Sequence, residues 1–284
     1  MKKKILIVGI DSFIAKKFEK RARSLGYIIY GTSRKKVKKR VHLDLTWNLK
    51  KWPNLKYSFD CIVICASENK VRKCEIQKLK TYKVNVLGVK KIIQKYKSIK
   101  TQIIFISSSL VFDGKKSIVN FNTIPNPQNQ LGMQKFEAEK IILQSQGLVV
   151  RVTKIYESTI TTFKNWVNDI SSGKKVKVFS NLKTSLVPVD TLIDVLILSI
   201  KKNYRGLFHI SGPEDKSYYD ILKIILKKMK MKSNLVVPQI GSKKIIGRKY
   251  SNTVMKISKH LKNKKLYLPN INQIISKNIN NYKN

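Results

Sequence analysis

Apolar residues along this chain fall into two spacings. Ile5–Val8, Cys61–Ala66, Ile103–Ile106 and Leu148–Val152 are short unbroken runs. They lack the alternation of a half-wet strand and predict strands buried on both faces of a parallel sheet. Tyr27–Tyr30 and Val41–Leu45 read as the second and third strands of the same series. Between the runs, apolar residues recur at helical spacing. Phe13, Ile14, Phe18, Ala22 and Leu25 form one such stripe, closed by Gly26. Tyr82, Val86, Val89, Ile92 and Ile93 form another, with Asn85 on or beside its apolar face. A further helix begins near Leu131, after an approach stiffened by Pro125 and Pro127. Strand and helix alternating in this way predict an α/β fold with a doubly wound parallel sheet.

The later chain is less regular. Thr161–Ile170 predicts a helix with Phe163, Trp166, Val167 and Ile170 as its core stripe. Leu186–Val189 predicts a short strand, with Asp190 capping a helix through Ile200. Asp220–Met229 reads as a lysine-rich amphipathic helix, and the Asn- and Lys-rich tail after Asn270 as a weak helix or disorder. The organisation expected is a nucleotide-binding domain over residues 1–150. A smaller C-terminal lobe over 151–284 is interleaved with it and mainly binds substrate.

The first strand carries the chemistry. Gly9, Ser12 and Ala15 stand where a dinucleotide-binding turn needs small residues. Gly9 makes the turn, and Ala15 permits close helix-to-strand packing. At Ser12 a side chain stands where backbone would approach a pyrophosphate, and its hydroxyl is placed to bond a phosphate instead. A strand, a tight turn and a helix start together favour an anion. This points to a Rossmann-type site. After the second strand, where an NAD site usually carries Asp or Glu, the chain reads Gly31-Thr32-Ser33-Arg34. Arg34 suits a 2′-phosphate, which favours NADP and leaves NAD possible. Asp44 either contacts an adenine or caps the next helix. Ala66 lets a cofactor lie close, and Asn85 braces backbone near the site or is a partly exposed helix residue.

Composition changes the picture in one respect. Lys+Arg 59 against Asp+Glu 16 gives a formal charge of +43. Such a field draws in anions, nucleotides included. The lysines are spread over nearly every predicted helix, and no nucleic-acid-binding motif accompanies them. Compositional drift is therefore preferred to nucleic-acid binding. Cys61, Cys65 and Cys74 form no CxxC pair, and the three histidines share no ligand spacing, so neither a disulfide frame nor a metal is expected. No apolar run is long enough to span a membrane and the N-terminus runs straight into the first strand, so the expected compartment is the cytoplasm.

The quoted pieces, taken with others, resemble the extended short-chain dehydrogenase/reductases, and among them the dTDP-4-dehydrorhamnose reductases. The matching stretches are the Gly9–Ala15 turn, Asn85-Val86-Leu87-Gly88, Ser107-Ser108 with Val111-Phe112-Asp113-Gly114, and Pro127 through Glu139. Arg151-Val152-Thr153, Leu186–Asp190 and Gly206–Pro213 extend the likeness along the chain. The resemblance implies 4-keto reduction of a nucleotide-sugar with a Ser, a Tyr and a Lys. Ser108 and Lys135 match the first and last as catalytic residues. Lys135 would also hold the nicotinamide ribose. Phe13, Ile14 and Leu45 would join Gly9, Ser12, Arg34, Asp44, Ala66 and Asn85 around the cofactor. Ser109, Val111, Phe112 and Arg248 would face substrate. The position of the tyrosine, four residues before the lysine, is Leu131, which cannot donate a proton. Two readings follow: a reductase with a substitute proton donor, or a non-catalytic NADP-binding regulator or scaffold of the same fold. The partner implied is a nucleotide-sugar or similar anionic small molecule, with a homodimer as the possible assembly.

Overall fold

The computed structural model describes residues 2–157, 161–242, 250–262 and 266–282. The chain divides into two compact units and passes between them several times. The first unit is Met1–Val111, Pro127–Arg151 and Ile193–Phe208. Its strands are β1 (Lys4–Val8), β2 (Ile28–Ser33), β3 (Val41–His42), β4 (Cys61–Ile64), β5 (Gln102–Ser108) and β6 (Leu148–Val152). With Gly206–Ile210 they form a seven-stranded sheet in the order Gly206–Ile210, β6, β5, β4, β1, β2, β3. β5, β4, β1, β2 and β3 pair in parallel, with Leu6 opposite Tyr30 on one side and Ile62 on the other. The unbroken apolar runs are the central strands, and Ile5–Ile7, Ile62, Val63, Ile103 and Ile104 have no exposed surface. Helices cover them: α1 (Phe13–Ser24), α2 (Val71–Ile76), α3 (Lys78–Tyr82), α4 (Gly88–Tyr96) and α5 (Gln130–Gln144). Val89 and Ile92 of α4 and Ala138 and Ile142 of α5 pack in one core with Leu6, Val8, Ile62, Ile64, Ile103 and Phe105.

The second unit is Phe112–Asn126, Val152–Leu192 and His209–Asn284. Its core joins Phe163 and Val167 of the helix Thr161–Ser171 to Ile221 and Ile225 of the helix Tyr218–Lys228. Within it, Phe112–Asn126 is tied to a later stretch. Val119 bridges Met255, and Asn252 N–H donates to the Gly114 carbonyl at 3.2 Å. Among the described residues no helix is long and apolar enough to cross a membrane.

Several boundaries differ from the sequence expectation. The second strand starts at Ile28 and runs on through Ser33, because its far end pairs with β1 and β3. The third strand is only Val41–His42; Asp44 then folds back to accept from Thr46 N–H, which ends the extended run. Asp190 does not cap its helix, which already starts at Val189; it sits in the first turn, where its charge suits the helix dipole. The tail forms a helix, Ile271–Asn278, held by a capping box between Asn270 and Gln273 and by burial of Ile271, Ile274 and Ile275.

Candidate functional site

The site builds from the end of β1. Gly9 sits in the left-handed region with φ of 81°, and a Cβ there would meet the Ala66 Cα at 2.7 Å. No side chain fits, so the turn lies directly on Ala66, the second residue after β4. Thr32 at the end of β2 fixes the same turn: its hydroxyl accepts from Gly9 N–H at 3.1 Å, and its carbonyl from Ile10 N–H at 3.0 Å. Ser12 then caps α1 by accepting from Ala15 N–H at 3.3 Å. The N–H groups of Phe13 and Ile14, first in α1, are the orphan donors a helix start leaves. Their backbone N–H groups are thus open to an acceptor at the helix start, while the Phe13 side chain is 42% exposed.

A cleft of about 420 Å³ opens at this turn, at the carboxyl ends of β1, β2 and β4. That size is in the range of cofactor pockets, and the strand ends are where an open α/β sheet binds ligands. Gly9, Ser12, Arg34, Asp44, Leu45 and Ala66 all line it. Arg34 is exposed at the rim, with its carbonyl bonded to the His42 ring at 3.1 Å. Asp44 lines the cleft and also binds Thr46 N–H and hydroxyl, both at 2.8 Å. Sequence reasoning did not single out Asp11, Ser67, Glu68, Lys73, Thr81 or Val84, which line it too. Asp11 follows the glycine turn directly and was open to inference. The others arrive from β4's exit and from the helical run beyond it, with no local motif to mark them. Asp11 accepts from the Ser33 hydroxyl, and Glu68 is paired with Lys73, which holds its carboxyl below the usual range against the opposing effect of burial.

Asn85 is the brace of this wall. It lies in a π-helical turn, Lys83–Leu87, between α3 and α4; such turns often mark functional positions. Its side-chain oxygen accepts from the Ser67 hydroxyl at 2.9 Å and from Glu68 N–H at 2.8 Å. Its amide donates to the Glu68 carbonyl at 3.0 Å and to Gln134 Oε1 at 2.8 Å. It thereby connects the cleft wall to α5.

On α5, Asn129 caps the helix by accepting from Gly132 N–H at 2.8 Å. Gly132 is pressed onto the exit of β5, for a Cβ there would stand 2.3 Å from the Leu110 carbonyl oxygen. Leu131 is 3% exposed and Lys135 5%. The Lys135 ammonium donates to the Ile106 carbonyl at 3.0 Å and lies 4.8 Å from the Phe105 ring centre. Burial pushes it down to about 8, with Glu139 acting in the opposite direction. Glu139 is held by Arg151, with Nη2 to Oε2 at 2.6 Å and Nε to Oε1 at 3.0 Å. Ser108 ends β5, and its hydroxyl accepts from Leu110 N–H at 3.2 Å. Ser109 and Val111 are buried in the short 3₁₀ turn that follows. Phe112 belongs to the second unit, where it packs edge-on against His209. Tyr156 is core there, its hydroxyl paired with that of Tyr282. Arg248 lies outside the described residues.

Comparison with known proteins agrees with this fold. A family model described as the RmlD substrate binding domain matches residues 2–284. The structure is similar to dTDP-4-dehydrorhamnose reductase from Bacillus anthracis in complex with NADP, with a TM-score of 0.84 and 19% identity over 98% of each chain. It is also similar to a variant UDP-glucuronic acid 4-epimerase from Bacillus cereus, solved with UDP-4-deoxy-4-fluoro-glucuronic acid and NAD. There the TM-score is 0.82 and the identity 18% over 99% of each chain. Both likenesses are of fold. In sequence, methionine adenosyltransferase 2 subunit beta from Bos taurus is 26% identical over 189 residues, 62% of this chain. The match spans 57% of that relative's length.

Proposed function

Because the chain belongs to the RmlD substrate binding domain family, we propose that it binds NADP(H) in the β1–β4 cleft and reduces the 4-keto group of a nucleotide-sugar. The observation that carries this reading is the Gly9 turn against Ala66, at the mouth of a cleft whose size and strand-end position suit a dinucleotide. The first N–H groups of α1 and the Ser12 hydroxyl are suited to the pyrophosphate. Arg34 is suited to a 2′-phosphate, and so favours NADP over NAD. Asp44, Leu45 and Ala66 are suited to the adenine side. When bound, the reduced dinucleotide supplies a hydride. Ser108 orients the sugar carbonyl by hydrogen bonding, and Lys135 offers its ammonium to ribose hydroxyls. Ser109, Val111, Phe112 and Arg248 are proposed substrate contacts. The relatives solved with NADP, or with NAD and a UDP-sugar, support both ligand classes.

Leu131 favours a second reading. An apolar side chain stands one turn before Lys135, where the family resemblance calls for a tyrosine. A chain that keeps the cleft without the reaction would serve as a non-catalytic subunit, and similarity to a protein named as a subunit supports that alternative. NADPH oxidation with a panel of 4-keto nucleotide-sugars separates the two, run on wild type beside Leu131→Tyr. The reductase reading expects turnover by wild type, rising roughly 10- to 100-fold in the variant as a general acid is added. Binding without turnover in both proteins favours the subunit.

A further inference from the structure

A carbonyl that takes up hydride also needs a proton at its oxygen. Most groups in the first unit near the end of β5 are unable to give one. Glu139 is bound by Arg151 through two nitrogens and receives the Ser107 hydroxyl. Glu68 is paired with Lys73. Burial pushes the Cys65 thiol up to about 12 and raises Cys74. Leu131 is apolar, and the Gln134 amide is engaged with Asn85 and with the Thr81 hydroxyl.

Lys135 is different. Its ammonium carries three N–H bonds, and its hydrogen-bond acceptor among the described residues is the Ile106 carbonyl. The side chain is buried, so water does not readily make up the deficit. Ile106 lies two residues before the end of β5, so the ammonium stands near the carboxyl edge of the sheet, beside the strand end that carries Ser108. An under-bonded buried cation costs stability, and such costs gather at functional sites. We propose that Lys135 is itself a catalytic residue, whose ammonium protonates the oxygen of the carbonyl being reduced. This rests on the reductase reading above.

The step balances. The carbonyl carbon accepts hydride from a reduced nicotinamide dinucleotide, and the π pair of the C=O bond takes a proton from Nζ. An alcohol, the oxidised dinucleotide and a neutral amine result, and the amine regains its proton from water that enters once the product has left. The groups facing Lys135 are Glu139 on its own helix, Cys65 after β4, Cys74 on α2, and Phe105 and Ile106 on β5; Arg151 on β6 acts through Glu139. Burial outweighs Glu139 and brings the ammonium to about 8, where a general acid works near neutral pH.

Lys135→Arg tests the assignment, because arginine keeps the cation and its hydrogen bonds but holds its proton at every accessible pH. Three measurements apply to each protein: dinucleotide affinity by calorimetry, the pH profile of NADPH oxidation, and the Nζ titration by nitrogen-15 NMR. The Nζ signal is identified by its loss in the variant. The expected result, read at saturating dinucleotide so that any change in affinity is separated from the rate, is turnover lower by at least about 100-fold. The wild-type rate should fall as pH rises through the Nζ titration. Turnover retained by Lys135→Arg would overturn the proposal, leaving a positioning cation. So would an Nζ that stays charged to about pH 10, a result that needs only folded wild type. Wild type that binds dinucleotide yet turns over at no pH overturns the proton donor while sparing the binding reading. Wild type that binds no dinucleotide overturns both.

Discussion

Lys135 is where function and stability pull apart at the scale of one residue. Its folded pKa, about 8, lies below the ordinary 10.5 because burial disfavours the charge. The unfolded chain therefore binds the proton more tightly, and the penalty is fully present below about pH 8. It fades as pH rises toward 10.5. Lys135→Met removes the charge and also leaves the Ile106 carbonyl without this donor. A net gain of about 1–3 kcal/mol at pH 7 is expected in urea unfolding, shrinking toward alkaline pH. A variant less stable than wild type at neutral pH would show that the buried ammonium is well solvated by its surroundings. Gly9 makes the complementary case: its role was legible from residue type alone, because only glycine suits a positive φ against a neighbouring strand.

Elements were legible in proportion to how local their cause is. Ile5–Val8, Cys61–Ile64 and Ile103–Ile106 announce buried strands because both faces are covered and no polar position interrupts them. The π turn at Lys83–Leu87 left no trace, since one added residue hardly disturbs helical apolar spacing. Asn85 was recognisable as a candidate brace, but its partner Gln134 lies 49 residues away and no local pattern joins them. For the tail, Asn and Lys content left helix and disorder both open, and the Asn270 capping box with the isoleucine stripe behind it decides for the helix. The α5–β6 junction rests on one such distant pair, Glu139 with Arg151, both nearly inaccessible. Arg151→Met strands a buried carboxylate and is expected to cost about 3–5 kcal/mol in urea melts. Adding Glu139→Gln should recover much of that loss. A cost below about 1 kcal/mol would mean that the Glu139 carboxylate finds another partner or water in the variant.

For the molecule as a whole, a single family model covers residues 2–284, and the parallel sheet of the first unit places the cleft at its strand ends. The formal charge of +43 adds an attractive field for a polyanionic cofactor, strongest where salt is low. Every proposed role, from Arg34 to Lys135, presupposes that a nicotinamide dinucleotide occupies that cleft. The direct measurement is calorimetric titration of the purified full chain with NADPH and NADH at low ionic strength. Saturable one-to-one binding, tighter for NADPH, is the predicted result; titrations of both that yield no binding heat and no thermal stabilisation would contradict it.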